Sequence, residues 1–197
     1  MDRSTAIVLV RHPAVQHEIK GFCYGTSDVS LSQEGYDSIP EIVHKLSIHR
    51  PDRVVHSGLS RASLLAEAIA DSCNSPISTD QRLSELNFGE WERRPWKDIF
   101  AEVGHAMSKM IHQPNSFAPP GGETVLAMRN RVLAGLRDLP RSGTSLVVCH
   151  GGPISALRGT LAGVEPYQWT RLVPGYGEAV VLSDAQRSML SNVAQAT

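Results

Sequence analysis

Two runs of apolar, mostly β-branched residues limit the fold of this chain more than any other feature. Ala6-Ile-Val-Leu-Val10 stands near the start and Ser145-Leu-Val-Val-Cys149 far down the sequence. Both patterns are continuous rather than alternating, as in a strand covered on both faces of a parallel sheet. Each run stops at chemistry. The first meets Arg11-His12-Pro13 and the second meets His150-Gly151-Gly152-Pro153. Pro13 cannot continue a central ladder, so the strand ends where the polar residues begin.

Between these runs, strand and helix signals alternate. Ser32 is a helix N-cap, and Ile39, Ile42, Val43 and Leu46 follow at helical spacing, with Pro40 marking a kink or a late start. Residues 52–56 read as a strand, 62–70 as an Ala- and Leu-rich helix, and 76–79 as a short strand. Residues 81–94 are irregular, 96–110 helical, 115–122 a Pro/Gly loop, and 123–139 helical. A helix over 154–161 and a strand over 179–183 complete the pattern. This alternation predicts an α/β fold: a three-layer α/β/α sandwich with a mostly parallel central sheet. At 197 residues, with no linker or repeat, one domain spanning residues 1–197 is expected.

Charge narrows the partners. Nineteen Lys and Arg against 20 Asp and Glu leave a formal net charge of -1. A nucleic-acid-binding chain carries a basic excess, so no nucleic acid is expected, and any anion site must be local. No stretch is long enough to span a membrane, and the apolar run at 6–10 is too short for a signal peptide. Cys23, Cys73 and Cys149 are widely spaced and odd in number, which fits a reducing cytoplasm and no metal knuckle.

In open α/β sheets, ligands bind beyond the carboxyl ends of the strands. Arg11, His12 and His150 therefore meet at one sheet edge. Gly151 and Gly152 let backbone approach a ligand, and the helix that follows aims its amides and positive dipole end at an anion. Taken alone, His12 reads first as a capping or solvated loop histidine; its coincidence with the second strand end makes it a candidate. Arg61, after a strand and opening a helix, and Glu85, in the irregular segment, are two further candidates.

These elements in this order resemble the histidine phosphatase superfamily, also called phosphoglycerate-mutase-like. The resemblance is carried by Leu9-Val-Arg11-His12, Ser57-Gly-Leu-Ser-Arg61-Ala62, Leu83-Ser-Glu85-Leu-Asn-Phe88-Gly-Glu-Trp91-Glu92 and Val147-Val-Cys-His150-Gly151-Gly152. It covers roughly residues 5–185. It implies a metal-independent phosphomonoesterase needing no cofactor and acting on a small phosphorylated metabolite. His12 is then the nucleophile, forming a phosphohistidine. Arg11, Arg61 and His150 clamp the phosphoryl oxygens, and Glu85 serves as acid and then base.

The chain also departs from that pattern. The family usually continues Arg-His as Gly-Glu-Thr, whereas this chain reads Pro13-Ala14-Val15. Tyr24, Thr26 or backbone amides are the expected replacements for the lost donors. Arg93 stands where a Gly is common. Gly21-Phe-Cys23-Tyr24-Gly25 and Pro120-Gly-Gly-Glu123-Thr124 resemble the branch containing α-ribazole phosphatases, which makes α-ribazole 5′-phosphate the specific substrate expectation. Glu123 there either touches substrate or is a carboxylate favoured by a helix N-terminus. Two other functions fit the same residues: a phosphoglycerate-mutase-type phosphoryl transferase, and a catalytically weak relative that binds a phosphorylated ligand.

Overall fold

The computed structural model of the chain describes residues 6–193. The expected domain, 1–197, includes termini that lie outside the described residues. β1 (Ala6–Arg11) and β4 (Thr144–Cys149) pair in parallel at the centre of a five-stranded sheet. The spatial order is β3 (Ile77–Thr79), β2 (Arg53–His56), β4, β1, β5 (Ala179–Leu182). All pairs are parallel except β1 with β5.

The two apolar runs are buried on both faces, and alternate residues serve different cores. Ile7, Leu9, Val147 and Cys149 pack on one side, together with α5 (Val125–Arg137) and α6 (Gly151–Ala162). Val8, Val10, Leu146 and Val148 pack on the other, with α1 (Gln33–Ser47) and α2 (Ser60–Cys73). This is the expected three-layer sandwich. Each fully buried Val or Leu contributes ~1.5–3 kcal/mol, so the central pair anchors both cores.

Several local expectations needed correction. α1 runs through Pro40, which is exposed, so the carbonyl freed by its missing N–H faces water. The helix expected over 96–110 is broken. α3 (Trp96–Val103) stops at Gly104, whose φ of 54° L side chains rarely adopt. A 3-10 turn over Gly104–Ser108 and the short α4 (Lys109–His112) follow. The helix after β4 begins at Gly151, earlier than its apolar residues suggested. A last helix, α7 (Asp184–Val193), is amphipathic in part but was hidden by its polar, Ser-rich composition.

The topology places a crevice. From β1 the chain moves through α1 toward β2, and from the adjacent β4 it moves through α6 to β5, on the opposite flank. Connections leave neighbouring strands in opposite directions, which opens a cleft at their carboxyl ends. Arg11 is in register with Cys149, and His12 N donates to Cys149 O at 3.0 Å. Arg11, His12 and His150 thus stand at that cleft.

Candidate active site

His12 is 2% exposed and its Nδ1 lies 2.7 Å from Pro13 O. A carbonyl only accepts, so Nδ1 carries the proton and Nε2 presents a lone pair. Burial, first, and then Arg61 and Arg11 hold its pKa down to about 3, against the hydrogen bond to Pro13, which raises it. The ring is therefore neutral across the physiological range, as a nitrogen nucleophile must be.

The His150 ring lies 5.2 Å from that of His12, centroid to centroid. It is wholly buried, and its Nε2 meets Ser57 Oγ at 2.8 Å. Burial, with His12 and Arg61 nearby, pushes its pKa well below the usual value. Its Nδ1 has no partner among the described residues.

The two arginines are fixed by backbone. Arg11 Nη1 donates to Pro174 O at 2.8 Å, and its guanidinium lies 4.0 Å from the centre of the Tyr176 ring. Arg61 is wholly buried; Nη1 donates to Ser27 O at 2.8 Å and Nη2 to Gly25 O at 2.6 Å. The Nε of each is buried without a partner among the described residues. Buried donors are nearly always satisfied in folded proteins, so three unpaired nitrogens around one histidine mark a place for an anion.

Glu85 adopts an arrangement the sequence did not suggest. Its Oε2 accepts from Gly152 N at 3.1 Å and its Oε1 from Leu86 N at 2.9 Å. The positive end of α6 thus receives a carboxylate of the protein itself. A Cβ at position 152 would fall on Glu85 Oε1, so the glycine makes room for Glu85 rather than for a ligand.

Of the expected substrate-binding residues, Tyr24 and Gly151 line one cavity with Arg11, His12 and Glu85. Tyr24 Oη is 3.3 Å from Tyr176 Oη. Thr26 and Glu123 are elsewhere: both line a separate polar cleft. The Thr26 hydroxyl donates to Glu92 Oε1 at 3.2 Å. Glu123 accepts from Asn87 N at 2.9 Å and pairs with Arg131 at 2.6 Å. Arg131 in turn donates to Ser84 O and Glu85 O, both at 2.7 Å. Glu123 therefore braces the loop that carries Glu85.

Three contributors were not singled out by sequence. Ser57 follows β2 and reaches His150, and its position at a strand end on the same sheet edge was the available signal. Tyr176 sits in a Pro-Gly-Tyr-Gly loop with no periodic signature. Arg131 looks like one more solvated residue of a helix. The structure also places two departures. Arg93 adopts a φ of 61°, the left-handed conformation that favours glycine. The Pro13-Ala14-Val15 segment is tied to the start of α1, with Ser32 N donating to Ala14 O at 3.0 Å and Val15 bridging to Leu31.

A mostly parallel sheet with paired histidines at its central strand ends defines the class. Residues 7–189 match the model of the histidine phosphatase superfamily (branch 1), and the chain belongs to that superfamily. Among its relatives, the protein named "Probable phosphoglycerate mutase GpmB" of Yersinia enterocolitica is 30% identical over 169 residues, 84% of this chain and 79% of that protein. The α-ribazole phosphatase of Shigella flexneri superposes with a TM-score of 0.80 at 24% identity, covering 92% of each chain, a likeness of fold. A mycobacterial glucosyl-3-phosphoglycerate phosphatase in complex with VO3 gives 0.77 at 25% identity, over 91% of this chain and 93% of that one.

Among the described residues, no helix is long and apolar enough to cross a membrane.

Proposed function

We propose that this chain is a phosphomonoesterase that works without a metal, through a phosphohistidine on His12. The observation that carries the reading is a neutral, buried His12 beside Arg11, Arg61 and His150, each of which keeps one buried nitrogen without a partner among the described residues. A phosphoryl group bound there completes all three hydrogen bonds.

In the first step the His12 Nε2 lone pair forms a bond to phosphorus while the ester P–O bond breaks. Glu85 in its protonated form gives its proton to the departing alcohol oxygen. In the second step Glu85, now a carboxylate, takes a proton from water as that water's oxygen bonds to phosphorus. The N–P bond then breaks, the electron pair returns to Nε2, and inorganic phosphate leaves. The arginines and His150 hold the equatorial oxygens throughout; for a loose transition state such positioning and charge stabilisation supply most of the catalysis. Arg11 and Arg61 provide the positive charge that a divalent ion provides in other phosphoryl-transfer sites.

The specific substrate candidate is α-ribazole 5′-phosphate, supported by the elements over residues 21–25 and 120–124 and by likeness in fold to the Shigella enzyme. The competing reading is phosphoryl transfer between positions of a sugar acid, which the relatives' name favours. Against it stands the lining of the cavity, in which Arg11, already needed by the phosphoryl group, is the one lysine or arginine among the described residues to meet a substrate carboxylate. The deciding experiment incubates the protein with chelator and a panel of α-ribazole phosphate, phosphoglycerates and p-nitrophenyl phosphate. Release of free phosphate supports the proposal. Interconversion of phosphoglycerates faster than release assigns a mutase.

A further inference from the structure

The cavity beside His12, about 330 Å³, is divided sharply by chemistry. Its polar end holds Arg11, His12 and Glu85, all of them engaged by the phosphoryl reaction proposed above. Beyond them the walls are mostly apolar, with the uncharged hydroxyls of Tyr24, Ser155 and Thr170 as the exceptions. Phe88 meets Trp96 edge-on at 5.3 Å, and Ile111, Met128, Trp169 and Val173 face the same space. No lysine, and no arginine but Arg11, reaches it among the described residues. The hydroxyl of Ser155 in the lining is already spent on Gly152 O at 2.9 Å.

A leaving group seated here leaves water for hydrocarbon. One bearing a carboxylate or second phosphate would lose hydration with no cation to replace it. One with an apolar body gains about fourfold in affinity for each methylene buried. Aromatic walls also offer edge and face contacts to a ring.

We infer that the cavity selects phosphate monoesters of uncharged, bulky, ring-bearing alcohols and rejects acidic ones. The inference rests on the phosphomonoesterase reading and deepens it. The cavity's size, at the small end of ligand pockets, fits one or two fused rings.

The test pairs two measurements. Calorimetric titration compares 2-(1-naphthyl)ethylphosphonate with ethylphosphonate, which cannot be hydrolysed. Steady-state kinetics compares the corresponding phosphate esters, whose leaving alcohols are of one kind, with 3-phosphoglycerate. The naphthyl compound is expected to bind at least about 30-fold tighter and to show a kcat/KM higher by a similar factor, with 3-phosphoglycerate the poorest substrate. Ile111→Ala, which removes part of one half-buried wall, is expected to cut the naphthyl-to-ethyl ratio at least about threefold. Equal affinity for the two phosphonates, or preference for 3-phosphoglycerate, overturns the inference. Tight naphthyl-phosphonate binding with no hydrolysis of any ester instead overturns the phosphomonoesterase reading and leaves the cavity's selectivity standing.

Discussion

The Glu85 carboxylate sits on the first turn of α6, in the space that a side chain on Gly152 would occupy. One residue of the His150-Gly151-Gly152 element therefore serves a group that is remote in sequence. The strand-end motif and the acid-base candidate form one unit, and changing either disturbs the other.

Gly152→Ala tests that coupling. The added methyl must displace Glu85, so the turnover of esters with poor leaving groups should fall about 100-fold or more, the usual worth of a general acid. p-Nitrophenyl phosphate, whose leaving group needs no proton, should lose far less in the phosphorylation step. Single-turnover kinetics on alkyl and aryl esters measures the difference. Equal losses on both would detach Glu85 from the acid role.

Ser57→Ala tests how His150 is held. The variant leaves Nε2 of a wholly buried ring without a partner, at a cost of about 1–3 kcal/mol in unfolding free energy. It also removes the contact that orients the ring, so affinity for vanadate should drop severalfold. Urea unfolding and vanadate inhibition check the two effects; an unchanged inhibition constant would remove Ser57 from the phosphate site.

Two buried histidines with depressed pKa values make stability depend on pH. Between about pH 3 and 6.5 the unfolded chain protonates His12 while the folded chain does not. His150 behaves in the same direction. The unfolded state thus binds more protons there, so stability rises with pH through this window and is lost as pH falls from 6.5. Each histidine adds at most about 1.4 kcal/mol per pH unit. Urea titrations at successive pH values should show the slope, and His12→Asn should lower it.

Glu123→Gln tests the brace behind the Glu85 loop. Arg131 keeps its carbonyl acceptors but loses its carboxylate, so stability should fall by about 1 kcal/mol. Because Glu123 lines the polar cleft rather than the cavity, kcat should fall more than KM rises. A rise in KM alone would place Glu123 against the substrate instead.

These residues also show how far sequence reading reaches. Arg11, His12 and His150 were legible because continuous apolar runs define central parallel strands, and chemistry gathers at their carboxyl ends. Gly104 was a visible break that the apolar pattern around it masked. Ser57, Tyr176 and Arg131 were not legible as site residues. They act through partners distant in sequence: Ser57 with His150, Tyr176 with Arg11, and Arg131 with Glu85. Periodicity carries no record of such pairings. The bond that engages Thr26 was hidden for a related reason, since a loop hydroxyl looks free until Glu92 is folded against it.

The central claim is a covalent phosphoryl group on His12. Rapid mixing with p-nitrophenyl phosphate, quenching in alkali and peptide mass mapping tests it directly. The account predicts one phosphoryl group, stable to alkali and lost in acid, on the peptide containing His12, and none in His12→Asn. Undiminished turnover in that variant, or a phosphoryl group mapped to a peptide without His12, would contradict it.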